Sequence, residues 1–159
     1  MSPVVGRRWW LFGVMGQDPV ARPTLAEPEG KSLVGTHPAL ADLMRRVHAR
    51  HRTRVNSARR HLADQQLFWE CAQERKKTGK CPPRCNRSQC ASANPPGQSN
   101  HEFGLAVDAS PLDGRVTAWQ AIVIQEGGHF VIDDEPWHVQ LKATGSGKFT
   151  AYPDGWRAD

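Results

Sequence analysis

Hydrophobic positions along the chain change period more than once, and those changes mark out its elements. Leu40, Leu43, Met44 and Val47 recur at i, i+3, i+4 and i+7, which predicts an amphipathic helix from about Thr36 to His51. Thr36 is expected as its N-cap, and Pro38 falls in the first turn, where its missing N–H costs nothing. The opposite face carries Arg45, Arg46 and Arg50 and reads as a solvated face. Arg54 to Ser57 reads as a short strand. A second helix is expected from about Leu62 to Lys77, burying Leu67, Phe68, Cys71 and Ala72. Residues 78–100 have almost no apolar content and read as a long loop. Beyond it, Gly104 to Asp108 reads as a strand and residues 117–126 as a helix stopped by Gly127-Gly128. His129 to Ile132 and His138 to Leu141 read as a β pair. Helices first and strands later predict an α+β fold: one domain with a small, mostly antiparallel sheet flanked by helices.

The first 35 residues are rich in Gly and Pro and read as an N-terminal arm, with the domain proper at 36–159 and a Cys-rich loop at 78–100. Arg7-Arg8 precede the apolar stretch Trp9 to Met15, but an apolar core of only about eight residues sits near the lower limit for an export signal. A convincing small-residue cleavage site is also missing, so a strand or arm packed on the domain is the preferred reading.

Composition narrows the class without naming a chemistry. A length of 159 residues fits a single domain able to bury its own core. No stretch approaches the roughly 18 apolar residues of a membrane span. The formal charge of +5 favours polyanionic surroundings, whether nucleic acid, anionic lipid or an acidic cell wall.

Chemistry concentrates in two short segments, Ser99 to Asp108 and Asp133 to Gln140. A catalytic zinc site takes three N/O protein ligands and keeps one position open. His101, Asp108 and His138 would supply such a set if Gly104 makes the turn between the first two and His138 opens the neighbouring strand. Glu135, across a Pro-Trp corner, stands where a carboxylate could act as general base and then as acid to the leaving amine. His37, His48, His51, His61 and His129 are read as ordinary structural or surface residues.

The pattern S-x-H-x-x-G-x-A-x-D followed by E-P-W-H resembles the zinc D-alanyl-D-alanine carboxypeptidases and related L-alanyl-D-glutamate endopeptidases of peptidoglycan, the VanY-like peptidases that include phage endolysins. Ser99, His101, Gly104, Ala106 and Asp108 match the first motif, and Glu135, Pro136, Trp137 and His138 match the second. Pro96-Gly97 stand where the family's P-G-x-S-x-H begins. A third block, S-G-Y-R-S-x-x-x-Q in the family, is kept here at Ser57, Arg60 and Gln65, with Ala58, Arg59 and His61 at the Gly, Tyr and second Ser positions. The likeness spans about residues 40–142.

The resemblance implies Zn²⁺ on His101, Asp108 and His138, with Glu135 activating water. It implies that Arg60 aims its guanidinium at the substrate carbonyl or carboxylate, that Ser99 bonds substrate or orients His101, and that Trp137 walls the cleft. It further implies a monomer acting on the peptidoglycan stem peptide at the cell wall, secreted or released as a lysin. The E-P-W-H form leans toward D-alanyl-D-alanine carboxypeptidase, with L-alanyl-D-glutamate endopeptidase as the alternative. A reading of another class is a basic zinc-containing nucleic-acid-binding module built on the Arg-rich segment 45–60. It leaves the ordered set His101, Asp108, Glu135 and His138 unexplained, so no nucleic-acid partner is expected.

Cys71, Cys81, Cys85 and Cys90 have gaps of ten, four and five and lack paired C-x₂-C knuckles. Two disulfides, a four-cysteine zinc or free thiols all fit the spacing. A cross-link of some kind is favoured, because the polar loop has no core of its own.

Overall fold

A computed structural model describes residues 24–141. The Arg7-Arg8 and Trp9 to Met15 segment lies outside the described residues. Eight elements follow in chain order: β1 (Glu29–Gly30), α1 (Pro38–Arg50), β2 (Thr53–Ser57), α2 (Leu62–Thr78), β3 (Val107–Pro111), α3 (Val116–Gln125), β4 (Gly128–His129) and β5 (His138–Leu141). The strands form one sheet in the order β1-β2-β3-β5-β4. β1 pairs with β2 in parallel, and the other three pairings are antiparallel. The expected α+β class holds, and the sheet is mostly antiparallel as expected, mixed only through the parallel β1–β2 pairing.

The core fills the space between the sheet and two of the helices. α1 contributes Leu40, Ala41, Leu43, Met44 and Val47, all buried, as the i, i+3, i+4, i+7 spacing requires. The strands add Val55, Val107, Ala109 and Val139, and α3 adds Trp119 and Val123. Leu33, just before α1, joins the same cluster. Trp119 is fully buried, donates its indole N–H to Thr53 Oγ1 at 3.0 Å and meets Phe130 edge to face. A buried indole needs such a partner for its one polar atom.

The arginine face of α1 is more organised than a solvated surface. Arg46 and Arg50 converge on the Glu126 carboxylate at 2.9 and 2.7 Å, tying α1 to the end of α3. Those two contacts hold the Glu126 carboxyl below its ordinary range. Arg45 pairs instead with Glu27 and Asp42.

Four local expectations are corrected. The N-cap of α1 is His37 rather than Thr36, because the imidazole Nδ1 accepts the Ala39 N–H at 3.1 Å. β3 starts at Val107 rather than Gly104, since Leu105 N–H is drawn back to Asn100 O in a turn. The strand expected at 129–132 shortens to Gly128–His129, and Ile132 instead accepts the Glu135 N–H in a tight turn. On α2 only Gln65 and Cys71 are fully buried, while Leu67, Phe68 and Ala72 are half-covered.

Segment 79–100 is held as a loop by two disulfides, Cys71–Cys85 and Cys81–Cys90. The four-cysteine zinc and free-thiol alternatives therefore fall. The bridges cross in sequence, and the first anchors the loop to the buried side of α2. Arg75 reinforces this anchoring with a hydrogen bond to Cys90 O, and Arg84 pairs with Glu74. The loop contributes almost nothing to the apolar core, so its position depends on these cross-links.

A bridge closing a loop of this size stabilises by about 3 kcal/mol through the entropy of the unfolded chain. The Cys71→Ala/Cys85→Ala pair is accordingly expected to lower the unfolding free energy by about 2 to 4 kcal/mol in urea titration.

Candidate active site

Strand geometry assembles the centre of the site. Asp108 on β3 and His138 on β5 are cross-strand partners in the ladder, so their side chains leave the same face of the sheet. His138 Nδ1 lies 3.0 Å from Asp108 Oδ1. His101 arrives from the turn before β3. Its Nδ1 donates to Ala58 O at 2.9 Å, just past the end of β2, and its backbone O accepts from Arg60 N. That bond fixes the tautomer and directs His101 Nε2 at Asp108 Oδ1, 3.3 Å away. The two imidazoles meet edge to face with centroids 5.1 Å apart.

Gly104 makes the intervening turn as expected. It is buried, its φ is +64°, and its carbonyl receives the N–H of His37. A side chain would find that conformation unfavourable. Glu102 pins the same turn from outside by accepting the backbone N–H groups of Gly97 and Ser99.

The sequence-derived ligand set is thus brought together: one donor atom from each of His101, Asp108 and His138 lies within 4.8 Å of the others. Among the described residues this is the one group of its kind. Tetrahedral zinc with bonds of 2.0–2.1 Å requires ligand atoms about 3.4 Å apart, close to the His–Asp separations here. Two imidazole nitrogens and a carboxylate oxygen are also donors suited to zinc.

A buried orphan supplies a second test of fit. Gln140, two residues past His138 on the same strand face, places its Nε2 2.8 Å from His138 Nε2, nitrogen against nitrogen. Its Oε1 is buried with no partner. Turning the amide end for end removes the nitrogen–nitrogen clash and gives Oε1 a partner, because it then accepts a proton held on His138 Nε2. His138 Nδ1 is left with a free lone pair beside Asp108, which is the form a metal requires. The residues fit a zinc ion.

Charges follow from these contacts. Burial alone would push the Asp108 carboxyl up, but the His101 and His138 imidazoles against it, when protonated, override that and hold Asp108 well below the usual carboxylate range. Glu135 sits on the turn before β5, half-buried, with Oε2 3.8 Å from His138 Nδ1. Burial pushes its carboxyl above the ordinary value, His138 pulls against that, and nearby Asp108 and Asp134 reinforce the rise.

Arg60 stands in the same cavity, a cleft of about 1000 Å³ that also holds the triad and Glu135. Nη1 donates to Gln65 Oε1 at 2.8 Å, Nη2 approaches Ser57 Oγ at 3.4 Å, and the guanidinium lies 4.0 Å over the Phe68 ring. Gln65 in turn donates to Asn94 O in the disulfide-held loop. Burial lowers the Arg60 pKa, an effect partly offset by Asp108 and Asp64, and an arginine so placed stays charged. Ser99 is buried and Trp137 is exposed, and both line the cleft. Sequence reasoning brought these residues forward but passed over Gln140, Glu102 and Phe68. For Gln140 the signal was its spacing of two from His138, which puts both on one strand face.

No protein-family model matches the sequence, and no curated protein matches it. Solved structures give a likeness in fold. The LdcB LD-carboxypeptidase, from a structure describing peptidoglycan recognition, aligns over 76% of this chain and 68% of its own with 16% identity and a TM-score of 0.53. Two structures of VanY, a vancomycin-resistance D,D-pentapeptidase, align less closely, both at TM-score 0.47. One, a variant bound to Zn(II), covers 66% of this chain and 69% of its own at 22% identity. The other, bound to D-alanine-D-alanine, covers 65% and 67% at 23% identity. The chain shares the LdcB fold.

The amide of Gln140 is testable separately from any reaction. Gln140→Leu is expected to weaken zinc binding about 10- to 100-fold in competition with a chromogenic chelator, while Gln140→Glu, which can still accept from His138 Nε2, retains most of it.

Proposed function

We propose that this chain is a zinc-dependent peptidase of the VanY-like kind, hydrolysing a peptide bond in the peptidoglycan stem peptide. The observation that carries this reading is the convergence of His101, Asp108 and His138 on one point, with Glu135 and Arg60 in the same cleft. The three sequence motifs and the fold shared with LdcB LD-carboxypeptidase support it.

Zinc held by the triad supplies a Lewis acid that makes water acidic enough to attack at neutral pH. Glu135 takes the proton of the attacking water on its carboxylate and returns it to the nitrogen of the leaving amine. Burial raises the Glu135 pKa, the direction that helps the carboxyl hold the proton between the two halves of the transfer. Arg60, fixed by Gln65, Ser57 and Phe68, presents a rigid cation to the substrate carbonyl oxygen or carboxylate. Ser99 lines the floor beside His101, and Trp137 forms an apolar wall for the peptide.

Cleavage at the terminal D-alanyl-D-alanine bond is the favoured specificity, supported by the E-P-W-H form of the second motif. The cell wall is the favoured site of action. A formal charge of +5 attracts the chain to an anionic wall, and disulfides persist in oxidising compartments.

Purified peptidoglycan digested with and without added zinc, with products read by mass, tests the proposal. Free D-alanine is expected only with zinc; new stem-peptide ends in its place would reassign the enzyme as an endopeptidase. Glu135→Gln is expected to keep zinc and lose about 10²- to 10⁴-fold in turnover. Undiminished hydrolysis by that variant, or by metal-free protein, would sink the peptidase reading.

A further inference from the structure

Arg59 is adjacent to Arg60 and lines the same cleft, yet the chemistry above makes no use of it. Its setting is specific. A Cβ at Gly35 would lie 2.4 Å from Arg59 Cδ and 3.2 Å from Nη1, so the side chain rests directly on the bare α-carbon of that glycine. Gly35 also has φ +76°, a conformation that favours glycine, so the seat exists only with glycine there. Arg59 Nε is buried and has no hydrogen-bond partner among the described residues.

Most other arginines of the described residues contrast with it, and Arg87, which has no ion pair among them, is exposed. Arg45, Arg46, Arg50, Arg52, Arg84 and Arg115 each end on a carboxylate, and Arg60 has Gln65 and Phe68. Arg59 is half-buried on the cleft wall with no ion pair among the described residues, so its guanidinium charge is available to an entering anion. Lys31, exposed on the same cleft and without an ion pair among the described residues, adds a second cation. Asp64 and Asp134 also line the cleft, so an entering anion needs a cation not already engaged with protein.

We propose that Arg59, assisted by Lys31, forms an anion subsite that binds a carboxylate of the peptide substrate. A guanidinium fork matches a carboxylate through two parallel N–H···O bonds, which a phenol or an ammonium cannot reproduce. The inference rests on the peptide-substrate reading above. A stem peptide offers this chemistry in two places: its C-terminal carboxylate, and the α-carboxylate of a glutamate linked through its side chain.

Binding distinguishes the subsite from catalysis. Zinc-loaded Glu135→Gln protein, unable to consume its ligand, is titrated calorimetrically with L-Ala-γ-D-Glu-L-Lys-D-Ala-D-Ala as the full acid, as its C-terminal amide and as its glutamate α-amide. Adding Arg59→Gln is expected to weaken the full acid about 10- to 100-fold, and Arg59→Lys to weaken it less. One amidation should weaken the Arg59-containing protein by the same factor and leave the Arg59→Gln protein unchanged, which identifies the carboxylate read. The comparison of acid and amides on the Arg59-containing protein holds even if Arg59→Gln folds poorly. Equal affinity for all three peptides, or equal loss on amidation with and without Arg59, would overturn the subsite. Wild-type protein that cuts no peptidoglycan while this binding pattern persists would overturn the peptidase reading and leave the subsite standing.

Discussion

Asp108 and His138 face each other across the β3–β5 ladder, and the site depends on that one register. Side chains on a strand alternate faces, so a slip of one residue would send His138 and Gln140 into the core and Val139 out to the cleft. The alternation is enforced from the apolar side. Val107, Ala109 and Val139 are fully buried among Val55, Trp119 and Val123, so a slip would expose the core as surely as it would scatter the triad. Hydrophobic packing on one face of the sheet thereby fixes polar geometry on the other.

His101 is tied to this frame by a different route. It belongs to a turn, not a strand, and turns hold position poorly unless backbone groups are satisfied. Ala58 O accepts its Nδ1, Arg60 N binds its carbonyl, and Glu102 gathers the amides of Gly97 and Ser99. The segment that carries Arg60 therefore also orients His101. The other side of the cleft is held from Asn94 through Gln65 to Arg60, and Asn94 belongs to the loop that two disulfides close. A loop without a core is thus made part of the cleft wall, a physical use for cysteines that the zinc motifs themselves do not need.

Periodic parts of the molecule were legible in the sequence, and parts set by single hydrogen bonds were not. The face of α1 followed from spacing alone, as did the existence of α2, α3 and β5. The exact start of α1 did not, because Thr36 and His37 can both cap a helix and the choice lies with the imidazole. β3 was displaced by three residues because Gly104 and Leu105 look extended by composition but are pulled into the His101 turn. Residue types at fixed offsets brought forward His101, Asp108, Glu135 and His138, the family resemblance added Arg60, and all five line one cleft. Cysteine pairing was beyond reach, since gaps of ten, four and five fit several connectivities and only the path of the loop off α2 brings Cys71 to Cys85.

The positive charge has a more particular meaning than the total of +5 suggested. Much of the arginine on α1 and along the sheet is internal mortar: Arg46 and Arg50 clamp Glu126, and Arg52 pairs with Glu29. Such pairs cancel at a distance and give little long-range field. Within the cleft the pattern reverses. Arg60 is braced by a neutral amide and an aromatic face, and Arg59 by the bare α-carbon of Gly35. Neither brace removes charge, so both guanidiniums keep their attraction for an anion while losing freedom of movement. Two adjacent arginines, one already oriented beside the metal-type ligands and the other without an ion pair among the described residues, give the cleft two fixed positive charges side by side.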